Sequence, residues 1–215
     1  MLQKFCRWVL YRRMGYRFEE TVKRPRKYII ALAPHTSNWD FIMALLFMGA
    51  EQFQCGFMMK KEWFFWPLGP IFRRMGGIPV YREKNRSVTD VIAEQARQAE
   101  DFHLCITPEG TRRRQSDWKR GFYYIALKGE LPILLYGLDY KRRLIRCTKQ
   151  IIPTGDYDTQ IREIKQYFEG FQGYHPDKFT TGLEESEKLK IEVTEQRGQS
   201  RTRSSFAEPT PNRMS

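Results

Sequence analysis

The sequence predicts an α/β fold in which helices cover both faces of a β-sheet. Its 215 residues, of which 41% are hydrophobic, are enough for one domain with a sizeable core. Along the middle of the chain, apolar runs of strand length alternate with runs of helical periodicity. The chain is too apolar to be disordered throughout, and the alternation is typical of a sheet between layers of helices.

The first half of this pattern contains three predicted strands and two predicted helices. Lys27–Ala33 (KYIIALA) predicts the first strand, and the apolar residues 40–49 that follow it predict a helix. Gly56–Lys60 (GFMMK) and residues 78–82 (IPVYR) predict the second and third strands. Residues 88–100 carry apolar side chains at helical spacing and predict the second helix.

The second half continues the alternation and ends in a polar tail. Residues 103–107, 131–138 and 144–152 predict three more strands, and residues 122–128 predict a helix between the first two of them. Residues 158–171 (DTQIREIKQYFEGF) predict a late amphipathic helix. From about residue 182 the apolar periodicity is lost, and we expect residues 183–215 to form a disordered tail.

The first 27 residues carry much of the net charge of +12, with nine lysines and arginines against two glutamates. Apolar residues from Leu2 to Met14 recur near helical spacing among these basic residues, which predicts an amphipathic helix. Such a helix can lie on an anionic membrane, or it can pack on its own domain with a solvated basic side. The clustered charge implies an anionic partner, which can be a phospholipid surface, a nucleic acid or a phosphorylated small molecule.

The sequence lacks the features of an exported or membrane-spanning chain. Its longest uncharged run has 12 residues, whereas a spanning helix needs about 20. Basic residues between Lys4 and Arg13 interrupt any apolar region of a signal peptide. The four cysteines contain no C-x-x-C pair, so we expect reduced thiols in a cytosol-facing protein with no signal peptide and no transmembrane helix.

A histidine and an aspartate follow the first predicted strand, in the run HTSNWD (residues 35–40). A separation of five residues puts His35 and Asp40 about 140° apart on a helix, so a turn must bring them together. If Ser37 caps the next helix, the Asp40 carboxylate can reach the imidazole and leave the other ring nitrogen to accept a hydroxyl proton. Ser37-x-x-Asp40 is also the pattern of a capping box, and one carboxylate can serve both purposes.

Two further loops carry residues that suit a phosphate group. The turn PEGTR (residues 108–112) follows a predicted strand, where Gly110 allows close approach of a ligand and Thr111 and Arg112 can donate hydrogen bonds. Arg82 ends another strand, where its planar guanidinium can clamp a phosphate or remain solvated. Each loop alone is also compatible with an ordinary turn.

Five segments taken together resemble the glycerolipid acyltransferase superfamily, whose best-known members are 1-acylglycerol-3-phosphate acyltransferases. The segments are HTSNWD, GPIFRRMGGIPVYR, PEGTR, KRGFYYIA and LPILL, and they occur in that order over roughly residues 28–139. The resemblance implies a mixed, mostly parallel sheet flanked by helices, with a small N-terminal helical portion. It also implies an acyltransferase domain at residues 28–182, preceded by a basic, membrane-associating segment at residues 1–27.

The resemblance assigns a role to residues in each segment. His35 and Asp40 match the catalytic H-x-x-x-x-D motif of the family. Lys119 and Pro132 match the blocks implied for the acyl donor or for support of the site. The residues that match the binding site for the acceptor phosphate are Arg82, Glu109, Gly110, Thr111 and Arg112.

The chain departs from the family pattern near three of these segments. Pro34 replaces an asparagine that often precedes the histidine, and Arg113 replaces a serine that often follows E-G-T-R. Tyr136 stands near the place of a second proline in the last segment. These differences leave His35 and Asp40 in place, so they bear on the choice of acceptor rather than on the reaction.

The implied reaction is a direct acyl transfer in phospholipid biosynthesis. His35 would remove the proton from the hydroxyl of a lysophosphatidic acid-like acceptor, and the alkoxide would attack the thioester of acyl-CoA or acyl carrier protein. The implied partners are the two substrates and an anionic membrane surface, with no nucleic acid, no metal and no cofactor. We expect the protein at the cytoplasmic face of the membrane, held there as a peripheral or monotopic protein.

Other interpretations stay open on the sequence alone. The acceptor can be another lysophospholipid or a lyso-aminolipid, and the chain can be an inactive relative that only binds lipid. A basic nucleic-acid-binding module has charge as its only support. The aromatic run at residues 63–66 (WFFW) fits acyl-chain contact, anchoring at a membrane interface or core packing. We expect Cys105 to be a core residue, and His103 and His175 to be structural or surface residues.

Overall fold

The computed structural model describes residues 1–80 and 87–184. Most of the described chain forms one compact unit, Met1–Thr181. Its strands are β1 (Arg17–Glu20), β2 (Lys27–Ala33), β3 (Gly56–Lys60), β4 (Gly77–Val80), β5 (Phe102–Ile106), β6 (Ile133–Asp139), β7 (Leu144–Cys147) and β8 (Gln150–Ile151).

These eight strands form one sheet in the order β1-β7-β6-β2-β5-β3-β4, with β8 paired to β6. β2 lies at the centre and is parallel to both of its neighbours, β5 and β6. The pairs β3–β4, β3–β5 and β1–β7 are also parallel, whereas β7 and β8 are antiparallel to β6. The expectation of a mixed, mostly parallel sheet is confirmed.

Helices cover both faces of this sheet. They are α1 (Leu2–Arg7), which continues as a π-helical segment (Trp8–Arg13), α2 (Trp39–Glu51), α3 (Leu68–Arg74), α4 (Val88–Gln98), α5 (Gly121–Gly129) and α6 (Tyr157–Phe168). Short 3-10 turns occupy Lys61–Trp63 and Pro176–Lys178.

The two faces of β2 belong to two different hydrophobic clusters, because successive side chains of a strand point to opposite sides. Ile29 and Ala31 pack with buried residues of α4, α5 and α6. Tyr28 and Ile30 pack with buried residues of α1 and α2. Every residue of the neighbouring β6 is buried, as expected for a strand covered by helices on both sides.

Several elements differ from their predicted bounds. The predicted strand at residues 144–152 is two strands, β7 and β8, which pair with opposite ends of β6. The late helix α6 ends at Phe168, and Gly170 follows it with a left-handed φ of 80°. The strand predicted at residues 78–82 is seen as β4, and residues 81 and 82 lie outside the described part of the chain.

Two elements were not predicted from the sequence. β1 is a four-residue edge strand of sequence RFEE, and none of its residues is fully buried. Its charged side chains hide the alternation that marks a half-buried strand. α3 covers only seven residues and begins at Leu68, directly after a run of aromatic residues and a proline. A helix of seven residues covers less than two turns and has too few residues to show a period.

The N-terminal segment is part of the compact unit. Cys6 and Leu10 are buried against α2, where the Cys6 Sγ approaches so closely that a Cβ added at Gly49 would lie 2.7 Å from it. β1 joins the sheet beside β7. The predicted domain boundary between residues 27 and 28 therefore falls inside this unit. On the outer side, Leu2, Phe5 and Trp8 stay exposed.

Within the described ranges, no helix combines the length and the apolarity that a membrane crossing requires. A second unit spans Gly182–Ser215, and the structure describes its residues 182–184. The predicted tail at residues 183–215 thus lies almost entirely outside the described residues.

Candidate active site

Three neighbouring parallel strands end at the same edge of the sheet, and a polar residue follows each of them. The strands are β6, β2 and β5, which run in the same direction. His35 follows β2, Glu109 follows β5 and Tyr140 follows β6. Because ligands of α/β sheets bind outside the carboxyl ends of the strands, this edge is the candidate active site.

His35 and Asp40 form a hydrogen-bonded pair at this edge. The turn between the end of β2 and the start of α2 brings His35 Nδ1 to 3.1 Å from Oδ2 of Asp40. An ionised carboxylate only accepts hydrogen bonds, so the contact assigns the proton of the neutral imidazole to Nδ1. The other ring nitrogen, Nε2, is then left with a lone pair that can accept a proton.

Asp40 is fully buried, and its carboxylate accepts three further hydrogen bonds. The main-chain N–H groups of Thr36 and Ser37 donate to Oδ2 at 2.7 and 2.8 Å. The hydroxyl of Tyr140 donates to Oδ1 at 2.8 Å. Since donors of this kind stabilise the charged form of a carboxyl group, they compensate for the loss of water around Asp40.

The same residues form one of the two hydrogen bonds of a capping box. Asp40 reaches back to the Ser37 N–H, as the acidic residue of a capping box does. The Ser37 hydroxyl, however, accepts from Trp39 N at 3.2 Å, and Asn38 is the N-cap residue of α2. One carboxylate therefore serves both the start of α2 and the imidazole of His35.

A second buried carboxyl group, that of Glu109, lies on the main-chain side of His35. The His35 N–H donates to Glu109 Oε1 at 2.7 Å, and Glu109 is 1% exposed. Burial raises the pKa of Glu109 to about 8, and the nearby charge of Asp40 adds to this rise while the His35 N–H opposes it. At neutral pH Glu109 is thus mainly protonated and neutral.

An open cavity of about 1650 Å³ begins beside His35 and Asp40. Apolar side chains from α2, β3, α3 and α5 form most of its walls, including those of Phe41, Phe57 and Phe72. Pockets that enclose a drug-sized ligand measure about 300–1000 Å³. The cavity is therefore large enough for a long apolar chain, with its reactive end at the imidazole.

Three cationic side chains line the same cavity: Arg112 and Lys119 together with Gly110, and Lys61 next to Glu62. Within the described residues, neither Arg112 nor Lys119 forms an ion pair. Gly110 has a left-handed φ of 66°, and a Cβ at this position would lie 2.6 Å from Lys119 Cγ. Glycine at residue 110 thus lets Lys119 lie close to the turn after β5. This arrangement places the positive charges of Arg112 and Lys119 beside a mostly apolar cavity.

The other residues that the sequence singled out have different surroundings. Thr111 Oγ1 accepts from Arg113 N at 3.2 Å and so supports the turn itself. Pro132 precedes β6, and its carbonyl accepts from Ile29 N, which places it at the opposite end of the sheet from His35. The structure does not bring Pro132 to the cavity. Arg82 lies outside the described residues.

The remaining histidines make contacts of a structural kind, and Cys105, which is partly buried, packs against the core and also lines the cavity. The ring of His103 stacks on Tyr28 at a centroid distance of 4.6 Å. The main-chain N–H of His175 donates to Thr36 Oγ1, which fixes a C-terminal loop against the turn after β2. Burial raises the pKa of Cys105 to about 12, so its thiol stays protonated. In the described ranges, no group of histidine, cysteine and acidic residues is arranged to hold a metal ion.

The aromatic run after β3 is divided between packing and exposure. Phe64 packs edge to face on Phe72, with ring centroids 6.2 Å apart. Trp63, Phe65 and Trp66 are exposed, and Trp66 is 85% exposed. A ring contact within the described part of the protein is therefore seen for one of the four aromatic residues, Phe64. Of the three exposed residues, Trp63 also lines the cavity.

Sequence reasoning missed Tyr140, whose hydroxyl contacts Asp40 across a separation of 100 residues. The signal that could have found it is its position directly after β6, a strand predicted to be part of the same sheet. It also missed the contact of Glu109 with the main chain of His35. The resemblance implied that Glu109 binds phosphate, and in the structure its carboxyl group accepts from the main chain of His35.

Comparisons with known proteins identify the family of this chain. Residues 13–136 match a family model described as acyltransferase, and they contain His35, Asp40 and the turn after β5. The fold is similar to that of PlsC from Thermotoga maritima, a 1-acyl-sn-glycerophosphate (LPA) acyltransferase, with 14% sequence identity and a TM-score of 0.54. The similarity covers 78% of this chain and 75% of that one. No curated protein matches the sequence. The family match extends over more than half of the chain, and the protein therefore belongs to the acyltransferase family.

Proposed function

We propose that this enzyme transfers a fatty acyl group from acyl-CoA or acyl carrier protein to the free hydroxyl of a lysophosphatidic acid-like acceptor. The observation that carries the proposal is the His35–Asp40 pair, which lines a large, mostly apolar cavity together with Arg112 and Lys119. The pair supplies a base, the cavity suits an acyl chain, and the cations suit a phosphate. The similar protein PlsC is itself named as acting on lysophosphatidic acid.

In this reaction His35 acts as the general base. Its Nε2 takes the proton of the acceptor hydroxyl while Asp40 holds Nδ1–H and stabilises the imidazolium that forms. The acceptor oxygen bonds to the thioester carbonyl carbon, the C–S bond breaks, and the thiolate leaves with the proton returned by His35. General-base catalysis of this kind contributes about 10²- to 10⁴-fold in rate.

Arg112 and Lys119 would hold the phosphate of the acceptor. Both line the cavity that contains His35, and both are free of ion pairs within the described residues. A guanidinium can bind two phosphate oxygens at once, whereas an ammonium acts as a point charge. A neutral Glu109 behind this turn avoids the repulsion that a charged carboxylate would exert on the phosphate.

The protein would work at the cytoplasmic face of an anionic membrane, where a lyso-lipid acceptor dissolves. Two exposed apolar groups support this location: Leu2, Phe5 and Trp8 in the basic N-terminal segment, and the tryptophans and phenylalanine after β3. Basic residues near a membrane surface add about 1 kcal/mol each to binding, and aromatic rings suit the interface.

The test is the release of free thiol from palmitoyl-CoA by purified protein in detergent, with and without lysophosphatidic acid. We expect acceptor-dependent release by the wild-type protein and none by His35→Ala, with both proteins folded according to circular dichroism. Full activity of His35→Ala would disprove the mechanism. Thiol release with other lysophospholipids or lyso-aminolipids, but not with lysophosphatidic acid, would show that the acceptor is a different lyso-lipid and that the reaction is still an acyl transfer.

A further inference from the structure

We propose that Tyr140 is a positioning residue of the acyl-transfer reaction, whose hydroxyl fixes the Asp40 carboxylate so that it holds His35 in one tautomer. The proposal rests on the function proposed above and adds a residue that lies outside the family motifs. The contact that carries it is the hydrogen bond from the Tyr140 hydroxyl to Asp40 Oδ1 at 2.8 Å.

The two oxygens of Asp40 have unequal partners. Oδ2 accepts from His35 and from the main-chain N–H groups of Thr36 and Ser37. Among the described residues, Oδ1 accepts from Tyr140 alone. The terminal torsion of an aspartate has a broad, roughly two-fold preference, so bonds to one oxygen restrict its rotation but still allow small changes of the torsion. A donor on the second oxygen restricts this motion, and that donor is Tyr140.

Tyr140 is itself held on a rigid part of the fold. It follows the buried strand β6, which pairs directly with β2, the strand that leads to His35. Its main-chain N–H donates to the Gln172 carbonyl at 2.9 Å. Its ring packs edge to face against Tyr174 and Tyr16, at centroid distances of 5.3 and 6.3 Å. Because these contacts fix the Tyr140 side chain, its hydroxyl can hold the Asp40 carboxylate in one position.

The environment also keeps the Tyr140 hydroxyl protonated. Burial raises the pKa of Tyr140 far above its ordinary value of 10, and the negative charge of Asp40 and the bond to it raise it further. The other groups that face the ring, Tyr16 and Tyr174, are phenols and act in the same direction. Tyr140 therefore donates to Asp40 over the whole pH range in which His35 can act as a base.

The test uses Tyr140→Phe, which removes the hydroxyl and keeps the ring. The free energy of a hydrogen bond to a charged group corresponds to a rate factor of about 10 to 100. We therefore expect kcat to fall by about 10- to 100-fold. The KM values for donor and acceptor should stay unchanged, because the hydroxyl does not reach the cavity side of His35. The matched control is Tyr174→Phe, which removes the hydroxyl of the ring packed on Tyr140 and should leave kcat unchanged.

A second measurement separates this proposal from the proposed function. In protein labelled with ¹⁵N at histidine, the His35 ring signals are identified by their loss in His35→Ala. We expect the Nδ1–H tautomer in the wild-type protein and in Tyr174→Phe, and a smaller fraction of it in Tyr140→Phe. This readout needs no activity, so it stands even if no acceptor is turned over.

Two results would overturn the proposal. One is an unchanged tautomer in Tyr140→Phe, whatever happens to kcat, because Tyr140 would then not act through Asp40 and His35. The other is a changed tautomer with an unchanged kcat in an active enzyme, because positioning of His35 would then not matter for the reaction.

Discussion

Two buried carboxyl groups flank His35, and they differ in the hydrogen bonds they accept. Asp40 accepts from three N–H groups and one hydroxyl, whereas Glu109 accepts from the N–H of His35. Both are at most 1% exposed. Burial raises the pKa of Glu109 to about 8, while the four donors around Asp40 stabilise a carboxylate.

The comparison shows that burial alone does not decide whether a carboxyl group in this site is charged or neutral. A carboxyl group that must balance an imidazolium needs donors to replace the lost water, and Asp40 receives three from the turn before α2 and a fourth from Tyr140. A carboxyl group that only holds the main chain needs no charge. The site thus contains one charged and one neutral acid on two sides of the same histidine.

The largest effect is expected at the charged acid. Asp40→Asn keeps the size of the side chain but removes its charge and can favour the other tautomer of His35. We expect kcat to fall by about 10³- to 10⁴-fold with KM nearly unchanged, as for the orienting acid of other His–Asp pairs. Steady-state thiol release measures both constants. A loss of tenfold or less would show that Asp40 mainly serves as a helix cap.

A smaller effect is expected on the cavity side of His35. Arg112→Ala should raise the KM for lysophosphatidic acid by about tenfold or more, because a charge-assisted bond to phosphate is lost. The KM for palmitoyl-CoA and the value of kcat should change little. Arg113→Ala is the matched control, since its side chain is exposed and does not line the cavity. Equal effects of the two variants would mean that general charge, rather than a phosphate site, attracts the acceptor.

Glu109 should also make the stability of the protein depend on pH. The folded protein keeps a proton on Glu109 up to a pKa of about 8, whereas the unfolded chain loses it near the ordinary value of 4.5. Between these values the folded state binds more protons, so the free energy of unfolding falls as pH rises, by up to about 1.4 kcal/mol per pH unit. Urea unfolding at several pH values measures the slope. Glu109→Gln should reduce this slope. An equal slope in both proteins would show that a group other than Glu109 causes the pH dependence.

The smallest effect is expected at the exposed aromatic residues. Trp66→Ala should weaken binding to vesicles of phosphatidylcholine and phosphatidylglycerol several-fold, because an exposed indole is lost from the interface. Ile152→Ala is the control, since Ile152 is also exposed but follows β8, at the far end of the sheet from His35. Co-sedimentation measures both. Equal binding by the wild-type protein and Trp66→Ala would show that this loop does not contact the membrane.

The parts of this site that the sequence predicted are local. β2 has a clear apolar run, and the spacing of His35 and Asp40 requires a turn directly after it. Both features depend on fewer than fifteen consecutive residues, so periodicity and turn chemistry could predict them. Each predicted strand and helix also depends on a short run of consecutive residues, and their alternation predicted the fold class.

The parts that could not be predicted depend on distant pairs. Tyr140 meets Asp40 across 100 residues, and Glu109 meets His35 across 74. These contacts follow from the strand order β6-β2-β5, which local periodicity does not contain. β1 was missed because its pairing with β7, rather than its own sequence, makes it a strand.

The contrast between the two acids is tested most directly by the kcat of Glu109→Gln beside that of Asp40→Asn, with palmitoyl-CoA and lysophosphatidic acid at neutral pH. Each variant replaces a carboxyl group by an amide of the same shape. The amide oxygen can still accept from the His35 N–H, and the amide NH₂ group can donate as the O–H of a neutral Glu109 does, so we expect kcat within about threefold of the wild-type value. Asp40→Asn should lose about 10³-fold or more. Comparable losses in the two variants would contradict the account.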